Sequence, residues 1–247
     1  MSILCINGDW MHTTHLGVYM YQWASVLWLL IFRLLKGPTA EENMVLVMSE
    51  LRDFWKAHPT PGHYQNIKLS MIAASNDPEG KYPKLKGQAG EVKHLSKALL
   101  FVFCKYKDGA SQIHAMIALM MRRFIEMDDI LDAHPHNIYP RLPSQPAAAF
   151  ENAGFDALAC LTHVADHYMR VETLPLFNVT IKAHYIIHIA VSARYINPRM
   201  TMCYGNEDYM HHMKRLVSAS IRGTRPPLVS KKILDNIRNA YHQEMSR

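Results

Sequence analysis

The run VYMYQWASVLWLLIFRLL, from Val18 to Leu35, is the most apolar stretch of the chain and decides the class of its fold. It holds a single charged residue, Arg33, and is followed by the pair Gly37-Pro38. An apolar run of this length that ends at glycine and proline is typical of a helix. We therefore predict one long helix over 13–35.

This helix raises the question of a membrane anchor. A transmembrane helix needs about 20 apolar residues, so the run reaches only the lower end of the range, and it contains a charge. No basic segment precedes it and no small-residue cleavage site accompanies it, as a secretory signal would require. We predict a helix of the protein core and expect no membrane partner, with a membrane-anchored helical protein as the alternative.

The rest of the chain divides into helical patterns separated by proline and glycine turns. Thr39 and Glu42 have the spacing of a capping box, in which each side chain binds the backbone N–H of the other, and they predict the start of the second helix. The short apolar run at 2–7, closed by Gly8, is consistent with one buried N-terminal strand. The fold class is therefore mainly α, in a single helical domain spanning 1–247. Further helices are predicted at 40–57, 64–74, 91–106, 110–131, 147–170, 180–195, 207–221 and from 228 onward.

Composition limits the kind of protein. Of the 247 residues, 49% are hydrophobic and 19% are charged, which excludes a disordered chain. The four cysteines are far apart and form no CxxC pair, so we expect neither a disulfide framework nor a cysteine zinc finger, and we predict an intracellular protein. The net charge of +6 permits a polyanionic partner such as nucleic acid.

Two groups of residues could bind a metal ion. Asp9 directly follows the short apolar run, where an exposed carboxylate can reach a metal, although capping of the next helix is the simpler explanation. His184 and His188 are four residues apart and share one helix face, which suits a single metal ion. Tyr185 stands where a zinc protease has glutamate, so that motif fails, and structural histidines are the simpler interpretation.

The carboxyl-terminal part carries an acid followed by many cations. A loop delivers Glu207 to the start of a predicted helix, where a carboxylate suits either the helix dipole or a divalent metal. The basic residues after it could contact phosphates or form an ordinary solvated surface. The candidate nucleic-acid-binding residues are Lys214, Arg215, Arg222, Arg225, Lys231 and Lys232.

Separated stretches resemble one protein family, in the family's order. Asp9-Trp10-Met11-His12 resembles the D-x-M-H segment of CACTA-type (En/Spm-like) DNA transposases, in which the aspartate opens a helix. The segment 177–210, with an aliphatic stretch, a turn, an aromatic residue and then Glu207, resembles the region around their third acidic residue. The segment 86–95 weakly resembles a further helix of the family. Together these stretches span the chain from end to end.

The resemblance implies a fold related to RNase H and a function in DNA cleavage and strand transfer. In that family three carboxylates hold two divalent metal ions, which activate water or a 3′-hydroxyl for attack on a phosphodiester. Asp9 matches the second carboxylate and Glu207 the third, as catalytic residues and metal ligands, with Mg2+ or Mn2+ as the implied cofactor. DNA is the implied partner and the nucleus the implied location. The histidines that could converge beside Asp9 as further ligands are His12, His15, His184 and His188.

The family pattern is incomplete in this sequence. Its first carboxylate should lie on a strand upstream of Asp9, where only eight residues stand. We therefore expect a truncated transposase-derived fragment that is inactive alone and that could bind no cofactor. Its RNase H-like remnant is predicted at 1–35 and 177–247, and a helical insertion at 36–176. The alternative is a non-enzymatic helical interaction or nucleic-acid-binding protein, and either could form a homo-oligomer. A transposase remnant requires Asp9 and Glu207 within reach of one metal ion.

Overall fold

A computed structural model describes residues 8–72, 81–204, 215, 217–221 and 226–245, with the side chains at 226, 227, 237 and 239–245 left undescribed. The chain divides into two compact units, Met1–Met202 and Cys203–Arg247. The described residues are mainly helical and include no strand, which confirms the mainly α class. The strand expected at 2–7 lies outside the described residues.

Within its described residues the first unit contains seven helices, and the described part of the second unit is mainly helical. Pro198–Thr201 adds one 3₁₀ turn at the end of the first unit. The helices of the first unit are α1 Met11–Leu34, α2 Ala40–Ala57, α3 Leu69–Ile72, α4 Ala89–Tyr106, α5 Gln112–Ala133, α6 Ser144–Arg170 and α7 Ile181–Ser192; that of the second is α8 Pro226–Met245.

Helix α1 occupies the core of the first unit, as its composition predicts. Among the described residues it is the one helix long and apolar enough to cross a membrane, and 78% of its most apolar window is buried inside the protein. Aliphatic side chains such as Val26 and Leu27 are fully buried, and each contributes about 1.5–3 kcal/mol by leaving water. A buried core helix can be as long and as apolar as a transmembrane helix. Because most of α1 is buried inside the protein, we treat it as the core helix.

The two uncharged polar residues of the apolar run bind the chain between α6 and α7. The Gln22 side chain donates to the Asn178 carbonyl over 3.0 Å, and the Phe177 backbone N–H donates to the Ser25 hydroxyl over 2.8 Å. Phe177 has a positive φ of 57°, a backbone conformation that L residues rarely adopt. These polar side chains therefore fix an irregular segment that could not otherwise satisfy its backbone groups in a core.

Both ends of α1 are wound more widely than an ordinary α-helix. Met11–Val18 and Leu30–Leu34 are π-helical, and the Leu35 N–H bonds the Leu30 carbonyl, five residues earlier, over 2.9 Å. Wide turns of this kind are rare and occur frequently at functional sites. In the N-terminal segment they change which side chains share a helix face.

The Thr39 half of the capping box predicted for α2 is confirmed, whereas the Glu42 carboxylate accepts from the Thr39 hydroxyl, over 3.4 Å, instead of the Thr39 backbone N–H. The Glu42 backbone N–H donates to the Thr39 hydroxyl over 3.2 Å, and Thr39 is the N-cap residue.

Helix α6 packs between α5 and α7, and Gly154 permits this close approach. A Cβ added at Gly154 would lie 3.0 Å from the Met127 Cε atom and 3.1 Å from the Ala190 Cβ atom.

The structure describes residues 64–72 of the helix predicted over 64–74, and in that described part only the four residues of α3 are helical, so the prediction is wrong in extent. The Lys84 and Lys86 N–H groups donate to the carbonyls of Ile72 and Met71, over 2.9 and 2.8 Å. The buried Tyr64 hydroxyl reaches the Lys86 carbonyl over 3.2 Å. The segment at 84–86 thus bonds the last two carbonyls of α3 and the side chain of Tyr64.

The described part of the second unit includes a helical stretch at 217–221 and helix α8. The Asn236 side-chain amide donates to the Ser220 hydroxyl over 2.8 Å, and Ser220 is buried. This polar contact joins the two helical segments.

Candidate functional site

Asp9 stands at the N-terminus of α1 and caps it. One carboxylate oxygen accepts the Met11 N–H over 3.0 Å, and the other pairs with the His12 ring nitrogen Nδ1. The Asp9 carbonyl also accepts the Thr13 N–H over 2.9 Å. Both carboxylate oxygens are therefore engaged in starting the helix, as the simpler of the two explanations predicts.

The end of the first unit returns to the N-terminus of α1. The Thr201 hydroxyl lies 3.2 Å from the Gly8 carbonyl, next to Asp9. On α7, the Lys182 ammonium donates to the carbonyls of His12 and Leu16 over 2.7 and 3.2 Å. Burial, and then the positive charge of Lys84, lower the pKa of Lys182. The chain thus closes on itself within the first unit.

Several predicted site residues fall outside the described residues. They are Glu207, Lys214, Arg222 and Arg225. The required approach of Glu207 to Asp9 therefore stays a prediction. The chain at Thr201, six residues before Glu207, lies against Gly8.

The candidate histidines have separate surroundings. His184 and His188 lie on the exposed face of α7, with their Nε2 atoms 2.8 Å apart, and their described polar contact is with each other. His12 is exposed and pairs with Asp9. His15 is completely buried and points to a different carboxylate, that of Asp128 on α5. His15 therefore does not lie with His12 beside Asp9.

Asp128 is a buried carboxylate that sequence reasoning missed. Its Oδ1 atom accepts hydrogen bonds from the Trp10 indole and the His15 ring, both over 3.0 Å, and its Oδ2 atom accepts from the Tyr19 hydroxyl over 2.8 Å. Burial alone would raise the pKa of Asp128. The pKa is nevertheless lowered, by attraction to His15 and the His15 hydrogen bond, and further by the charge of Lys93 and the Trp10 hydrogen bond. The group is an ionised carboxylate inside the core.

The wide turns of α1 assemble the donors of this network. Trp10 and His15 are five residues apart, and Tyr19 follows four residues later. Because the intervening segment is π-helical, residues five apart can face the same way. Trp10, His15 and Tyr19 thereby converge on Asp128, while His12 stays on the exposed side.

A cavity of about 730 Å³ lies beside Asp128, between the end of α2, the following turn, α4 and α5. His94 lines it, and burial, followed by the charge of Lys93, lowers the pKa of that imidazole. Ser96 also lines it, and the buried Ser96 hydroxyl has no hydrogen-bond partner among the residues that the structure describes. Two ion pairs flank these groups: Lys93 with Asp132 over 2.7 Å and Lys97 with Asp129 over 2.6 Å.

A signal for this site exists in the sequence. Trp10, His15 and Tyr19 all have polar ring atoms and lie on or next to the most apolar helix of the chain. Buried aromatic rings with polar atoms require hydrogen-bond partners, so the pattern predicts an acceptor in the core. Which carboxylate accepts is decided only by the packing of α5 against α1.

The second unit carries most of the net charge. Residues 203–247 hold eight Lys and Arg against four Asp and Glu, a net charge of +4 out of the +6 of the chain. Arg215, Lys231 and Lys232 are exposed. A surface of this kind can contact phosphates.

Comparison of the chain with protein-family models, with curated proteins and with solved structures finds no match.

Proposed function

We propose that the chain is a DNA-binding protein related to CACTA-type transposases, which binds DNA through its second unit and does not cleave DNA alone. The observation that carries the relationship is the hydrogen bond from Thr201 to the Gly8 carbonyl, 3.2 Å long and spanning 193 positions. In a transposase remnant, the chain that follows Asp9 must fold back so that its later part lies beside Asp9. The return of the first unit to this point supports that requirement.

The charge distribution supports DNA as the partner. Two thirds of the net positive charge falls in the last 45 residues, where Arg215 and Lys231 are exposed. Basic residues that neutralise phosphates supply most of the sequence-independent affinity for DNA. The affinity should therefore fall steeply with salt.

The donors that the first unit itself supplies around Asp9 do not fit the implied metal. Mg2+ takes oxygen ligands in octahedral geometry, and Mn2+ also favours carboxylates and carbonyls. Asp9 supplies one carboxylate, whose oxygens are engaged with Met11 and His12, and His12 supplies a nitrogen. We therefore assign no metal-dependent step to these residues.

DNA binding is tested by fluorescence anisotropy with a labelled 20-base-pair duplex at several salt concentrations. The double variant Arg215→Glu/Lys231→Glu reverses two charges of the second unit. The matched control Lys36→Glu/Arg141→Glu makes the same charge change at exposed residues of the first unit. If each reversed residue contacts a phosphate, the slope of log affinity against log salt should fall by about 0.9 per contact.

We expect the second-unit variant to bind DNA at least tenfold more weakly at low salt than the control variant does. Equal weakening in the two variants would show that net charge, rather than the second unit, determines affinity. Absence of salt-dependent binding in the unaltered protein would reject DNA as the partner. Incubation of the duplex with Mg2+ or Mn2+ should yield no cleaved product, and cleavage abolished by Asp9→Asn would contradict the inactive assignment.

A further inference from the structure

We propose that His184 and His188, on the exposed face of α7, together bind one late divalent transition metal ion, Ni2+ or Cu2+. Their imidazole Nε2 atoms lie 2.8 Å apart. Both side chains are exposed, so they are not core histidines, and an ion reaches them directly from solvent. The site uses neither Asp9 nor the second unit, and it therefore does not depend on DNA binding.

The distance between the two nitrogen atoms selects the geometry of the ion. Bonds from a metal ion to an imidazole nitrogen are about 2.0–2.1 Å long. With bonds of that length, two nitrogens 2.8 Å apart subtend an angle of about 84–89° at a shared ion. Neighbouring ligands of a square-planar or octahedral ion meet at about 90°, whereas a tetrahedral zinc ion needs the two nitrogens about 3.3–3.4 Å apart. The pair therefore suits Ni2+ or Cu2+ better than Zn2+.

The type of donor atom also favours these ions. Imidazole nitrogen suits nickel and copper, whereas Mg2+ and Ca2+ prefer carboxylate, carbonyl and water oxygens. Because a hydrogen bond joins the two Nε2 atoms, one of them carries a proton. A neutral imidazole can carry its proton on either ring nitrogen, so this proton can transfer to Nδ1 of the same ring. Both Nε2 lone pairs then face the same ion.

The backbone that carries the pair is fixed by packing. The opposite face of α7 holds the buried side chains of Ile186, Ile189 and Ala190. The Ala190 Cβ atom lies 3.1 Å from the position that a Cβ atom at Gly154 of α6 would occupy. Sites built on packed helices hold their ligands more precisely than sites on loops. The two histidines can therefore bind an ion without movement of the backbone.

The charged side chains of this part of the chain are directed away from the pair. Lys182 and Arg194 are the two charged residues in the segment 180–195. The Lys182 ammonium donates to backbone carbonyls of α1, and the Arg194 guanidinium pairs with Glu151 on α6. Both cations are thus engaged with other helices, and neither is bound between the two imidazole rings.

Equilibrium dialysis of the whole protein against Ni2+ tests the site. The chain contains 15 histidines, so free imidazole is added as a competitor, which displaces isolated histidines from an ion more readily than a chelating pair. We expect His184→Ala and His188→Ala each to weaken this site about 100-fold, and so to lower the number of bound Ni2+ ions by one. The double variant should lose the same single ion, because the two imidazoles share it. Loss of two ions in the double variant, or of none in either single variant, would overturn the shared site.

Two further variants separate histidine spacing from histidine number. His163→Ala removes an exposed histidine of α6 and should leave the number of bound ions unchanged. Tyr185→His/His188→Ala keeps the number of histidines, but side chains one residue apart do not face each other on a helix, so the ion should still be lost. Retention of the ion in this variant, or an equal loss in His163→Ala, would reject the proposal. All the altered positions are exposed on helices, and circular dichroism checks that each variant keeps its fold.

Discussion

Replacement of Asp128 by Asn tests the buried network most directly, because it keeps the shape and removes the charge. An amide has a single acceptor oxygen, whereas three donors face this side chain at 2.8–3.0 Å. The amide oxygen can still accept from both Trp10 and His15. The Tyr19 hydroxyl also donates to the Phe124 carbonyl over 2.9 Å, so the main loss is the negative charge that faces His15. Breaking a buried charged pair by changing one partner costs about 3–5 kcal/mol. Since the Asp128 side chain is only 8% exposed, solvent offers little compensation.

The neighbouring acid provides a matched control. Asp129 is one residue along the same helix, but its side chain is 50% exposed and pairs with Lys97 at the surface. Exposed ion pairs contribute about 0–1 kcal/mol. We therefore expect Asp128→Asn to lower the free energy of unfolding by about 3–5 kcal/mol, and Asp129→Asn to lower it by no more than about 1 kcal/mol, both measured by urea denaturation followed by circular dichroism.

The effect of Asp128→Asn should also depend on pH. The pKa of Asp128 is lowered in the folded protein, so its stabilising contribution is fully present above the ordinary aspartate pKa of about 3.9 and is lost as the pH falls through the folded value. The difference between the unaltered protein and Asp128→Asn should therefore be largest near pH 7 and shrink below about pH 4. Similar free energies of unfolding for the two asparagine variants at pH 7 would refute the assignment of a buried, ionised network.

Three further predictions concern other parts of the first unit. Thr39→Ala should lower the free energy of unfolding by about 1 kcal/mol, because it removes the N-cap of α2. A decrease of less than about 0.5 kcal/mol in urea denaturation, the lower end of the range for loss of an N-cap, would contradict that role. Gly90→Ala should raise the melting temperature, since the added Cβ meets nothing within 4 Å, whereas Gly154→Val should lower it by overpacking against Met127 and Ala190; a thermal melt of the pair gives the two signs. Because the pKa of His94 is lowered on folding, the neutral imidazole favours the folded state above the ordinary histidine pKa of about 6.5, and this contribution to the free energy of unfolding is lost as the pH falls through the lowered folded pKa. His94→Gln should therefore weaken the pH dependence of unfolding between about pH 7.5 and 5.5. An unaltered pH profile in this variant would contradict the assigned role of His94.

Local signals in the sequence predicted the helices well. The apolar run, the Thr39 cap and the proline and glycine turns are all read from neighbouring residues, and they predict the existence and the approximate ends of α1, α2 and α4 to α7. The prediction failed where distant segments decide the conformation. Residues 64–68 are not helical, and the Tyr64 hydroxyl bonds the distant Lys86 carbonyl, a contact that no local pattern predicts.

The same distinction between local signals and distant contacts applies to the candidate site. That Asp9 caps a helix can be predicted from its position before the apolar run, and the structure places it there. Asp128 could not be chosen from the sequence, because it is one of three aspartates within five residues of α5 and the other two form surface ion pairs. Only the packing of α5 against α1 distinguishes the buried acid from its exposed neighbours.

The N-terminal segment of α1 directs its side chains to two different carboxylates. Its exposed face carries His12 beside Asp9, and its buried face carries His15 beside Asp128, three positions later. An ordinary α-helix would bring positions 12 and 15 to nearly the same face, whereas the π-helical turns separate them. The irregular winding of this segment is therefore what lets one helix end hold a surface acid and a core acid at once.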